Sequence, residues 1–249
     1  MRLPDEAQIL APAFPAPSRW VNVAMLRMDK EQGHPVLVEF WDFCRVNSLR
    51  TLPYLKAWHE RYAEAGLRVV GIHAAGFQAS ADPDAIRAAV ARLGIEYPVL
   101  IDGELKAAES YGIDGWPSRY LWDDSSRLFE VHIGEGGYVE TELAIQELLG
   151  IEQEPVPPVR PEDEPGLLLP AQTADQQGEW SGPYEAGGVW AVLSGSGSVR
   201  ANGQQIVVAH PGCYQLVSHE HHTTGVLELE VGDGVTCEAV CFTPGIASA

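Results

Sequence analysis

From Pro35 to Gly150, short apolar runs alternate with longer stretches whose apolar residues recur at helical spacing. Val36–Trp41, Leu67–His73 and Pro98–Ile101 predict strands, and Leu49–Ala65 and Asp84–Leu93 predict amphipathic helices, an order of βαβαβ. Pro35 precedes the first strand, where a missing N–H does no harm, Asn47 or Ser48 is placed to cap the first helix, and Pro53 to kink it. The pattern then changes. Ser118–Trp122 and Leu128–Ile133 predict two strands joined by a turn at Asp123–Arg127, followed by a helix from about Glu140 to Leu149. Parallel and antiparallel strands therefore share one α/β sheet.

Residues 152–170 are dominated by proline and acidic side chains, the composition of a semi-rigid linker. They divide the chain into an expected first domain of residues 1–151 and a second of residues 171–249. The second reads as strand throughout: Val189–Leu193, Gln205–Ala209, Gly212–Ser218, Gly225–Val231 and Thr236–Thr243, separated by turns that mostly contain glycine. A small β-sandwich or jelly roll fits this pattern. Leu227, Leu229 and Val231 alternate with Glu228 and Glu230, which predicts one buried and one wet face.

Charge narrows the partners. Asp and Glu number 35 against 16 Lys and Arg, a formal charge of −19, so a polyanion such as nucleic acid is repelled. Beyond residue 155 the only cationic side chains are Arg160 and Arg200, which offers nothing to anionic lipid. No apolar run reaches the roughly 18 residues of a membrane span, and Met1–Pro17 lacks a basic-then-apolar leader pattern, so a cytoplasmic location is expected. Cys44, Cys213, Cys237 and Cys241 include no CxxC, so neither a disulfide framework nor a zinc site is signalled, and no cofactor is expected. Cys237 and Cys241 lie about 13 Å apart along a strand, too far to bond each other, while either remains open to Cys213.

The stretch from Val36 to Tyr54, VLVEFWDFCRVNSLRTLPY, resembles the strand, active-site turn and kinked helix of thioredoxins, in particular the TlpA and DipZ branch, which is related to the AhpC/TSA proteins. The resemblance continues through Tyr54–Tyr62, Val70–His73 with Phe77, Gly115–Asp123, Gly134–Gly136 with Tyr138, and Thr141–Glu142, covering roughly residues 10–150. It implies a thioredoxin-like fold and a cis peptide at Trp116–Pro117, beside a groove that takes extended substrate. In that family the redox pair is a CxxC opening the helix. Anchoring on Phe40, Trp41 and Pro53 puts the two cysteine positions at Arg45 and Ser48. More loosely, the second domain resembles the carbohydrate-binding-module-like β-sandwich of DipZ-type proteins.

Dithiol exchange needs an activated thiolate and a second, resolving thiol, and neither Arg45 nor Ser48 supplies one. Cys44 precedes the lost nucleophile by one residue, which turns its side chain about 100° away. It reads either as a partly buried small hydrophobe or, if exposed near the helix start and Arg45, as a single reactive thiol. The peroxiredoxin arrangement PxxxTxxC is absent. By the resemblance, Glu39 occupies the position of the buried proton-shuttling acid. Without its cysteines it is a relic that keeps a raised pKa, finds a cation such as Arg45, or faces a wet gap. His219 and His221 are the candidate metal ligands at alternate positions, set against the reading of a solvated loop between two strands. Trp180 and Trp190 are the candidates for a sugar-stacking platform.

Three functions follow from these readings. The leading one is a redox-dead thioredoxin fold that presents the groove near Trp41, Arg45, Ser48, Trp116 and Pro117 to a peptide or protein. The others are a thiol oxidoreductase or peroxidase using Cys44, and a glycan- or metal-binding role for the β-sandwich.

Overall fold

In the computed structural model, residues 9–164, 166 and 168–248 are described. Met1–Gln8 of the expected first domain, Pro165 and Leu167 of the expected linker, and Ala249 lie outside them. The described residues group into two compact units: one made of the chain up to Asp42 with Asn47–Ala75 and Ile86–Pro157, the other of Phe43–Val46, Gly76–Ala85 and the chain from Pro158 on.

The first unit is built around β2 (Val36–Trp41), whose six residues are all buried. β2 pairs in parallel with β3 (Arg68–His73) and antiparallel with β5 (Ser118–Trp122). β1 (Arg19–Val21), β4 (Val99–Ile101) and β6 (Leu128–Ile133) complete a mixed sheet of order β1-β4-β3-β2-β5-β6. One face carries Val36, Val38 and Phe40 into a core with Val70, Ile72 and Leu100, covered by Ala107, Ala108 and Tyr111 of α3 (Lys106–Tyr111). The register of an alternating strand puts Leu37, Glu39 and Trp41 on the other face. α1 (Val46–Tyr62), with Pro53 inside it, and α4 (Tyr138–Leu149) meet through Tyr54 and Tyr138, whose rings stack at 3.7 Å. α2 (Pro83–Arg92) completes the helices.

The expected βαβαβ, hairpin and final helix are present, and the structure adds β1 and α3. α1 starts at Val46, so Asn47 and Ser48 fall within its first turn rather than before it. The Ser48 hydroxyl instead accepts the Asp42 backbone N–H at 3.3 Å.

Glu142 of α4 is 1% exposed and accepts four hydrogen bonds: from the Trp58 indole at 3.0 Å, Arg61 at 2.9 Å, the Tyr62 hydroxyl at 2.7 Å and the Val156 backbone at 2.7 Å. Gln146 extends this set, donating to the Tyr62 hydroxyl and accepting from the Gln153 backbone.

The second unit is all β, with β7 (Leu168–Leu169), β8 (Gln176–Gln177), β9 (Gly182–Gly195), β10 (Gly197–Ala201), β11 (Gln204–Val208), β12 (Gly212–Leu227), β13 (Leu229–Val231), β14 (Val235–Thr243) and β15 (Gly245–Ile246). Sheets of order β11-β10-β13 and β12-β9-β14-β8 contribute to one core, with Val189, Ala191 and Leu193 from β9 facing Val199 and Ala201 of β10, and β7 pairs with β15. Leu227 and Leu229 are buried and Glu228 and Glu230 exposed, as their alternation predicts. In β9 the inward residues change parity from Tyr184 and Ala186 to Val189, Ala191 and Leu193. At the change, a Cβ on Gly187 would sit 2.2 Å from the Pro244 carbonyl, so only glycine fits.

Replacing Glu142 by alanine leaves a buried indole N–H, hydroxyl and amide without their acceptor. A loss of about 3–5 kcal/mol is expected, read as a lower urea midpoint at unchanged slope in circular dichroism; a shift under about 1 kcal/mol would show that water replaces the carboxylate at no cost.

Candidate functional site

The site grows from the end of β2. After Trp41 the chain turns through Asp42, Phe43, Cys44 and Arg45 into α1. Trp41 lies edge-on to His73 at 5.1 Å, and His73 Nε2 is 3.7 Å from Asp42 Oδ1, both side chains fully buried. The Trp116–Pro117 peptide is cis. Its loop is pinned three times: the Trp116 indole donates to the Ala74 carbonyl at 2.8 Å, the Gly134 N–H to the Pro117 carbonyl at 2.8 Å, and the Ser118 hydroxyl to the Gly115 carbonyl at 2.7 Å. Trp116 is half-buried against the core and Pro117 is buried.

Of the two positions that the resemblance assigns to a cysteine pair, Ser48 is buried at 1% exposure with its hydroxyl engaged by Asp42. Arg45 is half-buried and groups with the second unit, where its guanidinium lies 4.9 Å from the centre of the Phe77 ring. Cys44 is 0% exposed, so the exposed-thiol alternative is corrected: the side chain is turned into the protein.

Glu39 is 1% exposed, and its cation is Arg119 rather than Arg45. The two are register partners across β2 and β5, with Arg119 Nε 3.7 Å from Glu39 Oε2. Desolvation pushes the Glu39 carboxyl up to about 8, against the opposing pull of Arg119. Only the pairing to Arg119 was hidden in the sequence: the two residues are far apart along the chain, and no local pattern signals a cross-strand ion pair.

The second unit's candidates disperse. His219, His221 and His222 lie within β12 and not in a loop between strands, in an irregular stretch where the register to β9 slips between Ser218 and Thr223. His219 meets the Tyr184 hydroxyl at 2.8 Å and His222 faces Glu185 at 3.2 Å, while His221 is exposed. No group of three metal-ligating side chains is found among the described residues. Trp180 packs edge-on to Phe242 at 5.6 Å, and Trp190 is half-buried. None of the four cysteines is disulfide-bonded. β9 separates β12 from β14, which holds Cys213 about 9.5 Å or more from Cys237 and Cys241, beyond disulfide reach. Burial pushes the Cys237 thiol up to about 11, and burial with Asp175 pushes Cys241 up to about 12, which disfavours the thiolate of both.

A mixed sheet of this order, with a cis-proline loop ahead of β5 tied to the end of β3, defines a thioredoxin-like domain. Residues 10–129 match the AhpC/TSA family, and a C-terminal β-rich region follows them. Over 126 residues the chain is 34% identical to Protein SUPPRESSOR OF QUENCHING 1, chloroplastic, of Arabidopsis thaliana, covering 50% of this chain and 12% of that protein. Protein DipZ of Mycobacterium tuberculosis is 28% identical over 163 residues, 64% of this chain and 22% of its own length. A thiol-disulfide isomerase from Corynebacterium glutamicum superposes with a TM-score of 0.50 at 23% identity, covering 57% of this chain and 98% of the solved one. Thiol-disulfide oxidoreductase ResA of Halalkalibacterium halodurans is 25% identical over 104 residues, 41% of this chain and 56% of its own length.

The raised Glu39 pKa sets a pH dependence. The folded state holds a proton that the unfolded chain releases, so this stabilisation is complete below the ordinary glutamate range and is lost as pH rises toward 8. Relative to Glu39→Gln, the native chain is expected to lose stability between about pH 5 and 8 with a slope of up to about 1.4 kcal/mol per unit. Parallel denaturant curves at several pH values check it, and a pH-independent difference would refute it.

Proposed function

We propose that the first unit acts by binding, with the cis-proline loop and the end of β2 receiving an extended peptide, and that it performs no dithiol exchange. The observation that carries this is the state of the lost cysteine positions. One is Arg45, and at the other the Ser48 hydroxyl holds the turn by accepting the Asp42 N–H. The surrounding frame is kept: the cis peptide, the pinned Trp116 and the buried Trp41. An extended segment can add backbone hydrogen bonds beside such a loop without any thiol. With 35 acidic against 16 basic side chains, the chain favours a neutral or basic peptide over an acidic one.

Two measurements separate this from thiol chemistry. Binding to an array of extended peptides is expected to fall at least tenfold in Trp116→Ala and Pro117→Ala variants that retain native circular dichroism. Unchanged binding would remove the groove from consideration. Iodoacetamide labelling of Cys44, resolved by peptide mass spectrometry, is expected to be slow in the folded chain and fast only on unfolding, because its side chain is buried. Rapid labelling of folded protein below pH 7 would favour a single-cysteine enzyme instead.

A further inference from the structure

The face of the first unit's sheet that meets α1 and α4 holds a group of buried polar atoms. Both carboxyl oxygens of Glu39, Nε and Nη1 of Arg119, the Trp41 indole nitrogen and the Tyr97 hydroxyl are buried with no hydrogen-bond partner. Arg119 spends its remaining nitrogen, Nη2, on the Gly136 carbonyl. Its guanidinium lies 5.7 Å from the centre of the Trp58 ring and 5.5 Å from that of Tyr138. Glu39 and Arg119 thus face each other at 3.7 Å with donors and acceptors unused on both sides. That spacing is too long for the bidentate pair an ionised carboxylate forms with arginine, which closes to about 2.7–2.9 Å. A buried ion pair left at such a distance does not offset its desolvation, whereas a neutral carboxyl tolerates it.

We propose that the proton on Glu39 selects between two partners for Arg119: the Gly136 carbonyl with the Trp58 and Tyr138 rings when the carboxyl is neutral, and the Glu39 carboxylate when it is ionised. Closing the pair draws the guanidinium toward β2 and loosens its hold on the Gly134–Tyr138 segment. In that segment Gly134, Gly136 and Gly137 have φ of +93°, +94° and +61°, backbone conformations that glycine adopts without a Cβ penalty. The segment reaches the cis-proline loop through the hydrogen bond from Gly134 to Pro117. The inference stands whether or not that loop binds a peptide.

Other groups bear on the pair from each neighbouring element. Tyr97, ahead of β4, is raised by burial and by the Glu39 charge, and His59 of α1, edge-on to Tyr97, is lowered by burial. From β6 and α4, Glu130, Glu140 and Tyr138 favour the charged Arg119, while His132, its register partner, is lowered by burial and by that charge. Arg50 of α1 pairs with Glu135 inside the segment at 2.6 Å. Both histidines are displaced below their ordinary range, away from the Glu39 transition.

The test is carboxyl-detected carbon NMR of the full chain between pH 5 and 9.5, read together with the indole N–H of Trp58 and the amides of Gly136 and Gly137. The expected result is a Glu39 carboxyl that titrates far above the other glutamates, with Trp58, Gly136 and Gly137 shifting at the same midpoint. In Arg119→Met the Glu39 transition persists while the Gly136 and Gly137 shifts vanish, and in Glu39→Gln all of these shifts vanish. Two results overturn the proposal: Glu39 titrating in the ordinary carboxylate range, or a high Glu39 midpoint that the glycines and Trp58 do not follow. If either variant fails to fold, the native titration alone decides.

Discussion

The first unit depends on one buried carboxylate. Glu142 is removed from water, and its desolvation is offset only because four donors from two parts of the chain converge on it. Trp58, Arg61 and Tyr62 fix α1, and the Val156 amide brings the chain beyond α4 back onto the helices. Trp58 then does a second job, since the other side of its environment is the Arg119 guanidinium. A contact between two helices is in this way also the wall of the Glu39 cluster. The two buried glutamates differ in their partners: Glu142 accepts four hydrogen bonds, whereas neither carboxyl oxygen of Glu39 has one.

Periodicity made much of this fold legible. β2, β3, β5 and β6 are apolar runs bounded by polar or glycine residues, and α1, α2 and α4 show apolar residues at helical spacing. What escaped was short or non-local. β1 spans only Arg19–Val21 and α3 only Lys106–Tyr111, too few residues for either period to show. α3 is instead set by Asp102, whose carboxylate accepts the Ala107 and Ala108 amides from outside the helix. The start of α1 was misplaced because Ser48 has a capping side chain that turns back to Asp42 rather than toward its own helix. The site's residue types were visible, but the Arg119 partnership was not, because antiparallel pairing across distant strands decides it.

In the second unit the same limit takes another form. Sequence alternation treated Gly212–Ser218 and Gly225–Val231 as separate strands with histidines looped between them. The chain instead runs through as β12, and the irregularity is absorbed by slips in register against β9. A slip changes which side chains point inward without ending the strand, so alternation read from sequence loses its phase there. This is why His219 and His221 do not share the face that their spacing implies. It also follows that Cys213 and Cys237 can both be half-buried near one another in the sheet and still be unable to bond, with β9 between them.

The persistence of a thioredoxin frame around missing cysteines has a physical explanation in what holds the loop. The cis-proline segment is fixed by an indole to a backbone carbonyl, by a glycine amide from the β6 end and by a serine hydroxyl within the loop. No sulfur takes part in any of the three. On the other side of the site, the turn is closed by a hydroxyl of the residue that replaces a thiol. Exchange chemistry and frame stability therefore reside in different atoms, and the first can be lost while the second is untouched. Glu39 is buried by its place in β2, which involves no cysteine. Moving that carboxyl into water would mean unpacking the central strand, and within the strand pairing it is Arg119 that faces it.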